Sequence, residues 1–389
     1  MTLPLRPVTV NAVMTSANRP LSILHTESST GWGGQEIRIL TEARGMLDRG
    51  HRVMLLTPAN AEILPAAQRM GVPVEAIDIE RKRVGPLLAM RSWLSRHGRE
   101  YDVVNTHSST DSWLTAIASA TLKHAPPLVR TRHVSTPINN KLSTRWLYRD
   151  ATAHIVTTGE SLRQQLHRDN GYALERMTSV RTGIDLNRFH PLDKRAMRAK
   201  LGVEEAPTLG ILATLRDWKG HQHLLEAMVM LRERFPAWRL VIIGDGPERE
   251  RLTASVEKLG LGKVAQLVGN QENVPEWLAT LDLFVLPSYG SEGVPQGIMQ
   301  AMACGLPVVA TPVGAVAEAV QDKQTGLMTE PRNPAALAAT LATLMGDDAL
   351  RESMGAASLA YARANFGIDI MLDRMLDVFQ RAIADRPQA

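Results

Sequence analysis

Residues 21–57 read LSILHTESSTGWGGQEIRILTEARGMLDRGHRVMLLT. The first six form an apolar run of the length of a buried strand. A loop carrying Gly31, Gly33 and Gly34 follows, then apolar residues at helical spacing as far as Gly50, then a second apolar run. A strand, a helix and a strand in this order make a βαβ unit, whose two strands run parallel. At the helix start the missing side chains of Gly33 and Gly34 let backbone N–H groups approach an anion. A tight turn is the other reading of the same glycines.

The alternation continues outward. YDVVNTH (101–107), PLVRTRH (127–133) and AHIVTT (153–158) read as further short strands. Residues 180–202 break the rhythm, and a second series starts at TLGILATL (208–215). It runs through WRLVIIGDG, VAQLVGN, DLFVLPS and LPVVAT, with helical patterns between, and the tail 334–384 is helical. The expectation is an α/β protein of two doubly wound, Rossmann-like domains facing across a cleft. A loose extension is expected over 1–20, the first domain over 21–190 and a connection over 191–205. The second domain is expected over 206–365, and a C-terminal helix packing back on the first domain over 366–389.

The chain of 389 residues has one cysteine, Cys304, so an intrachain disulfide is excluded and a reducing compartment is expected. The first 20 residues lack the apolar core of a signal peptide, and no apolar run approaches the roughly 20 residues that span a bilayer. A cytoplasmic protein follows, at most peripheral on the inner face of the membrane. Residues 1–190 carry 24 Lys and Arg against 16 Asp and Glu, a net +8, while the remainder is −4. A basic first half points to an anionic partner. Nucleic acid is not expected, because no recognised binding motif accompanies the charge.

In parallel sheets, ligands bind beyond the carboxyl ends of the strands, and several polar residues fall there. Arg216 and Lys219 follow strand 208–215, where an arginine fork and a lysine point charge can grip a diphosphate. His107 ends YDVVNTH, in a place suited to a sugar hydroxyl or a phosphate, or to a structural role. SEGVPQGIMQA (291–301) places Glu292 before a helix whose first turn includes Pro295. The free N–H groups of Gly293, Val294 and Gln296 would then face the cleft, with Gln300 eight positions after Glu292. IIGDGPERE lacks the full G-x-G-x-x-G, since Arg249 stands at the third position, which argues against a dehydrogenase. No histidine spacing suggests a metal site.

These motifs resemble the retaining family-4 glycosyltransferases of GT-B fold, of the glycosyltransferase group 1 type. That family shows a glutamate, seven residues, a second glutamate and then A-M-A-x-G-x-P-V-V-A; here the stretch is EGVPQGIMQAMACGLPVVA, from Glu292 to Ala310. TGIDLNRF, TLRDWKG, IIGDGP, LVGNQENVPEWL, LDLFVLPSYGSEG, TPVGAVAEAV and TGLM match in order. The resemblance implies transfer of a sugar from a nucleoside-diphosphate sugar, by habit a uridine diphosphate sugar, to an acceptor hydroxyl with retention. It implies that Arg216 and Lys219 neutralise the diphosphate and that Glu292 contacts the sugar. Gly33 and Gly34 would close over the diphosphate, His107 would approach the sugar, and Gly269 and Asn270 would border the base. Gln300 departs from the pattern, standing where the second acid holds the ribose; an amide can still bond hydroxyls. No cofactor and no metal are expected, for no Asp-x-Asp occurs in the chain.

RKRVGPLLAMRSWLSRHGR (81–99) and NKLSTRWLYR (140–149) mix cations with apolar residues. They read either as ordinary packed helices or as an anionic-membrane face. With a membrane face, the acceptor becomes a lipid-linked glycan or a lipopolysaccharide intermediate of the bacterial cell surface. The rivals are a GT-B-like sugar-nucleotide epimerase and a non-catalytic sugar-nucleotide-binding adaptor, the latter entertained because of Gln300.

Overall fold

The computed structural model describes residues 19–134, 136–290 and 292–385. The expected extension over 1–20 therefore lies outside the described residues, apart from Arg19 and Pro20. Thirteen described strands make two sheets. The first contains β1 (Ser22–Thr26), β2 (Arg52–Thr57), β3 (Val74–Ala76), β4 (Val103–Thr106), β5 (Leu128–Arg132), β6 (His154–Thr157) and β7 (Met177–Ser179). Their order is β3-β2-β1-β4-β5-β6-β7, and each neighbouring pair is parallel. The second contains β8 (Thr208–Leu212), β9 (Arg239–Ile243), β10 (Ala265–Gly269), β11 (Leu283–Leu286), β12 (Val308–Ala310) and β13 (Gly326–Met328). Its order is β10-β9-β8-β11-β12-β13, again parallel throughout. β3, β7, β12 and β13 have three residues each; of these only β12 sits in a longer apolar run, LPVVAT, that marks it in the sequence.

Parallel strands are covered by helices on both faces, so apolar residues fill both faces. In the first sheet Ile23, Val103, Val129 and Val156 face one layer, while Leu24, Val104, Leu128 and Ile155 face the other. Met90, Trp93 and Leu94 of the helix Val84–His97 close the second layer. The first layer is closed by the helix Gly34–Asp48 and by Met371, Leu372, Met375, Val378 and Phe379 of the last helix, Ile368–Ala384. That last helix thus returns to the first sheet after the chain has built the second. Ile184 N donates to Phe366 O at 2.7 Å where the two crossing segments meet, and Arg49 holds Asp369 and Asp373 at 2.8 and 2.6 Å.

Each sheet reverses its strand order once, between β1 and β4 and between β8 and β11. Loops leaving such neighbours diverge and open a crevice. Every residue singled out for chemistry except Gly269 and Asn270 lies on or beside one of these four exits. Phe379 is fully buried in the first domain's core although it lies near the end of the chain. Phe379→Ala is expected to cost about 3–5 kcal/mol, read as an earlier midpoint in urea unfolding followed by tryptophan fluorescence.

Candidate active site at the facing strand ends

On the second sheet the exits of β8 and β11 touch. Gly220 has φ +77°, and a Cβ there would run into the Pro287 carbonyl. This approach delivers Lys219, whose Nζ donates to Glu292 Oε1 at 2.6 Å, while Ser288 Oγ donates to the same oxygen at 2.7 Å. Glu292 is only 8% exposed. Its backbone is held from the other side: Ala315 N donates to Glu292 O at 2.9 Å, and a Cβ on Gly314 would strike that same backbone. Glu292 Oε2 makes no hydrogen bond among the described residues, so one carboxylate oxygen is anchored and the other is free for a ligand hydroxyl.

Arg216 does not join this pair. It precedes the 3₁₀ turn Asp217–Lys219 with extended backbone, and its exposed guanidinium lies over Trp218 at 5.2 Å. Of the twin cations read from the sequence, Lys219 is the one tied to Glu292. The following helix is Gln296–Ala303, with Pro295 capping it rather than standing inside its first turn. It leans closely on β8, where a Cβ on Gly297 would lie 2.6 Å from Leu212 O. Gln296 was expected as a backbone donor; its side chain also crosses the cleft, Nε2 donating to Gly34 O at 2.9 Å. Gly293 lies against Thr158 and His133 of the first domain, and Val294 is buried. The Gln300 side chain is half-buried and makes no hydrogen bond among the described residues. Gly269, at the end of β10, lies beside Arg249, with Asn270 exposed after it.

On the first sheet the glycine loop leads into the helix Gly34–Asp48, for which Gly33 is the cap residue. Beneath it lie two buried acids that the sequence reading missed. Glu27 accepts from Ser29 N at 2.6 Å and from Gln35 Nε2 and Ser108 Oγ. Asp111 accepts from Thr26 Oγ1 at 2.8 Å and His107 N at 2.9 Å. Burial, and then the Asp111 charge, push the Glu27 carboxyl up to about 8; burial raises Asp111 to about 6. These acids fix the shape of the loop and the β4 exit.

His107 is also placed differently from expectation. Both of its ring nitrogens are engaged, Nε2 at 2.9 Å from His25 Nδ1 and Nδ1 at 3.0 Å from His133 Nε2. It is buried, whereas His133 is half-buried and its backbone carbonyl adjoins Gly293, so His133 is the member of the file next to the cleft. The available signal was position: His133 follows β5 as His107 follows β4. The domains meet again where Glu318 accepts from Glu160 N at 2.8 Å and Ser161 N at 2.7 Å. It thereby caps the first-domain helix Glu160–Asn170, whose own cap residue, Gly159, has no side chain to do so.

Comparison with known proteins bears on the family and the fold. Residues 193–360 match the family described as glycosyl transferases group 1, and residues 32–188 match glycosyltransferase family 4. The chain is 28% identical to D-inositol 3-phosphate glycosyltransferase 2 of Catenulispora acidiphila, over 94% of this chain and 93% of that protein. Among solved structures, a glycosyltransferase from Rickettsia africae superposes with TM-score 0.86 at 18% identity, covering 94% of this chain and all of that one. Anabaena Alr3699/HepE in complex with UDP-glucose superposes at 0.80 with 22% identity, covering 92% and 99%. At these identities the superpositions establish the fold.

The Glu27 carboxyl makes stability pH-dependent. Its folded-state value, about 8, exceeds the ordinary one, so the folded state holds a proton that the unfolded state releases, and stability falls as pH rises toward 8. Glu27→Gln removes this slope. The melting-temperature deficit of the variant, large at about pH 5 because one loop bond is lost, is expected to shrink steadily by about pH 8. A constant deficit across that range would show that Glu27 is ionised in the fold.

Proposed function

Since the chain belongs to the group 1, family 4 glycosyltransferases of GT-B fold, we propose that it transfers a sugar from a uridine diphosphate sugar to a hydroxyl of an anionic, lipid-linked glycan acceptor, with retention at the anomeric carbon. The carrying observation is the Lys219–Glu292–Ser288 cluster, set where the helix starting at Gln296 meets the glycine loop. Two helix N-termini and an ammonium converge there, which suits a diphosphate. As the sugar–phosphate bond breaks, negative charge grows on the departing diphosphate, and Lys219 with the backbone N–H groups of Gly293, Val294 and Gln296 stabilises it. Glu292 Oε2 accepts from a sugar hydroxyl, and His133 bonds the sugar from the other side. The leaving phosphate oxygen takes the acceptor proton, so no separate base is required. Gln300 holds the ribose, and the Gly269–Asn270 turn borders the base. In the Anabaena protein, UDP-glucose is the bound molecule, which favours uridine.

The first domain supports an acidic acceptor. Arg130 is buried with Nε and Nη1 unpartnered, and its guanidinium lies over Tyr148 at 4.8 Å. Lys82 donates to Ser109 Oγ at 2.9 Å nearby, and burial, then the Arg130 charge, lower its ammonium. Asp111 lies within electrostatic reach of both cations, but the orphaned N–H groups of Arg130 still fit a phosphate or carboxylate. The curated relatives, by name, glycosylate an inositol phosphate.

The basic segments narrow the membrane reading. Met90, Trp93 and Leu94 are core, as an ordinary helix would have them, but Leu142 is 84% exposed and Val84 71%, with Leu88 also outside. Trp113 stacks on Trp146 at 6.1 Å and Lys82 lies over Trp113, joining these helices into one face. Arg81, Arg83 and Lys141 flank it. Among the described residues no helix is long and apolar enough to cross a membrane, so the proposed attachment is peripheral.

Heat unfolding with a panel of nucleotide sugars is expected to show protection by uridine diphosphate donors. With EDTA present, because the proposal requires no metal, Glu292→Ala and Lys219→Ala should each cut turnover by about a hundredfold. Wild-type transfer by both would remove the site assignment. Gln300→Glu should change donor KM and leave kcat at saturation nearly unaltered. Sedimentation with phosphatidylglycerol vesicles should recover the protein, and Leu142→Glu with Val84→Glu should abolish recovery; equal recovery with phosphatidylcholine would refute the electrostatic part.

A further inference from the structure

His25, His107 and His133 form a single file across β1, β4 and β5. Their nitrogens are 2.9 and 3.0 Å apart, and the ring centroids are 5.2 Å apart at both steps. All three are neutral: burial lowers His25 to about 3 and holds His107 and His133 well below the ordinary range. The positive charges of Arg38 and Arg130 reinforce this at His133. A neutral imidazole donates from one nitrogen and accepts at the other. The file therefore has two possible proton orders, and both make the same two hydrogen bonds.

The orders differ only at the ends. If each Nδ1 donates, the file runs from His25 to His133, leaving a bare Nε2 on His25 and an N–H at His133 Nδ1. If each Nε2 donates, His25 Nε2 carries an N–H. That atom is buried without a partner, and an orphaned buried N–H is rarer and costlier than an unfilled acceptor. Glu42 does not take it up: its Oε1 accepts from Asn105 at 3.2 Å, and its Oε2 lies 3.9 Å from Arg38 and makes no hydrogen bond to His25 or to any other described residue. At the other end His133 is half-buried, and its Nδ1 has no hydrogen-bond partner among the described residues. An N–H is readily satisfied there by water or a ligand oxygen.

We propose that His25 and His107 are positioning residues that set the proton order of the file, so that His133 keeps its proton on Nδ1 and meets the donor sugar as a hydrogen-bond donor. The dry end at His25 thereby dictates the chemistry of the wet end at the cleft, across two intervening bonds. The part played by the sugar rests on the reading of the cleft given above; the proton order does not.

The test uses the full-length protein labelled with ¹⁵N-histidine, without nucleotide sugar, at about pH 7.5. Long-range ¹H–¹⁵N correlation should show Nδ1 protonated and Nε2 bare in all three rings. A proton on His25 Nε2 would overturn the inference whatever the activity. His25→Leu should turn the His133 signals into a tautomer mixture and lower kcat about tenfold with donor KM nearly unchanged, by loss of an oriented donor. His25→Asn, whose amide N–H replaces Nδ1–H, should restore both. A folded His25→Leu with wild-type kcat, or a loss that His25→Asn fails to restore, refutes the positioning role. If the wild type shows the stated tautomers but transfers no sugar, the proposed function fails while the proton order stands.

Discussion

Glu292 is fixed by close approaches of backbone to backbone. Pro287 presses on the place where Gly220 would carry a Cβ, and Glu292 itself presses on Gly314. These contacts bring a lysine from the β8 exit and a carboxylate from the β11 exit within 2.6 Å, although 73 residues separate them. An ion pair at 18% and 10% side-chain exposure is screened less than a surface pair. It holds both side chains aimed at one place before any ligand arrives. The rest of the cleft is arranged around this point: the helix start at Gln296, its side chain on Gly34, and the half-buried His133 opposite.

The second half of this site was legible in the sequence because its parts are local. Glu292, Pro295, Gln296 and Gln300 lie within one loop and one helix, so spacing alone relates them. The βαβ alternation made both sheets legible for the same reason. Arg216 shows where spacing misleads. Three positions before Lys219 suggests a shared face, but Arg216 stands outside the 3₁₀ turn with extended backbone and points elsewhere. The first half of the site was hardly legible. Glu27, Gln35, Ser108 and Asp111 join across some 80 residues, and His25, His107 and His133 across three strands. A histidine ending a strand looks the same whether its nitrogens face a ligand or other histidines. Only the register of β1, β4 and β5 separates the two cases.

The two sides of the cleft treat charge in opposite ways. The second domain presents a tight ion pair, Lys219 and Glu292. The first domain buries its titratable groups and drives them toward neutrality: Glu27 and Asp111 upward, His25, His107 and His133 downward. On the proposed reading, the lysine of the second domain and helix starts of both domains face the diphosphate, while the histidine wall of the first domain carries little charge of its own. The sugar and acceptor then meet hydrogen bonds whose strength does not vary with salt. The basic surface of the first domain lies outside this wall, where it can attract an anionic acceptor without competing for the donor.

Closure of the cleft is held by few bonds, which bears on turnover. Described polar contacts between the domains include Gln296 to Gly34, Glu318 to Glu160 and Ser161, Arg181 to Glu318 at 3.6 Å, and, nearer the crossing, Arg188 to the Glu272 carbonyl at 2.7 Å. At about 1 kcal/mol net for a hydrogen bond, opening them costs only a few kcal/mol, small enough for product to leave. Opening need not disturb the crossing itself, because Ile184 and Gly367 pair backbone to backbone beside the last helix, whose apolar face stays in the first core. The crossing can therefore serve as the pivot, while Glu318, reaching over to cap a helix of the opposite domain, is the contact that registers closure. A helix end left uncapped on opening and recapped on closing supplies a modest, reversible bias toward the closed state. That is the scale an enzyme needs when it must both shield a breaking sugar–phosphate bond from water and release its product.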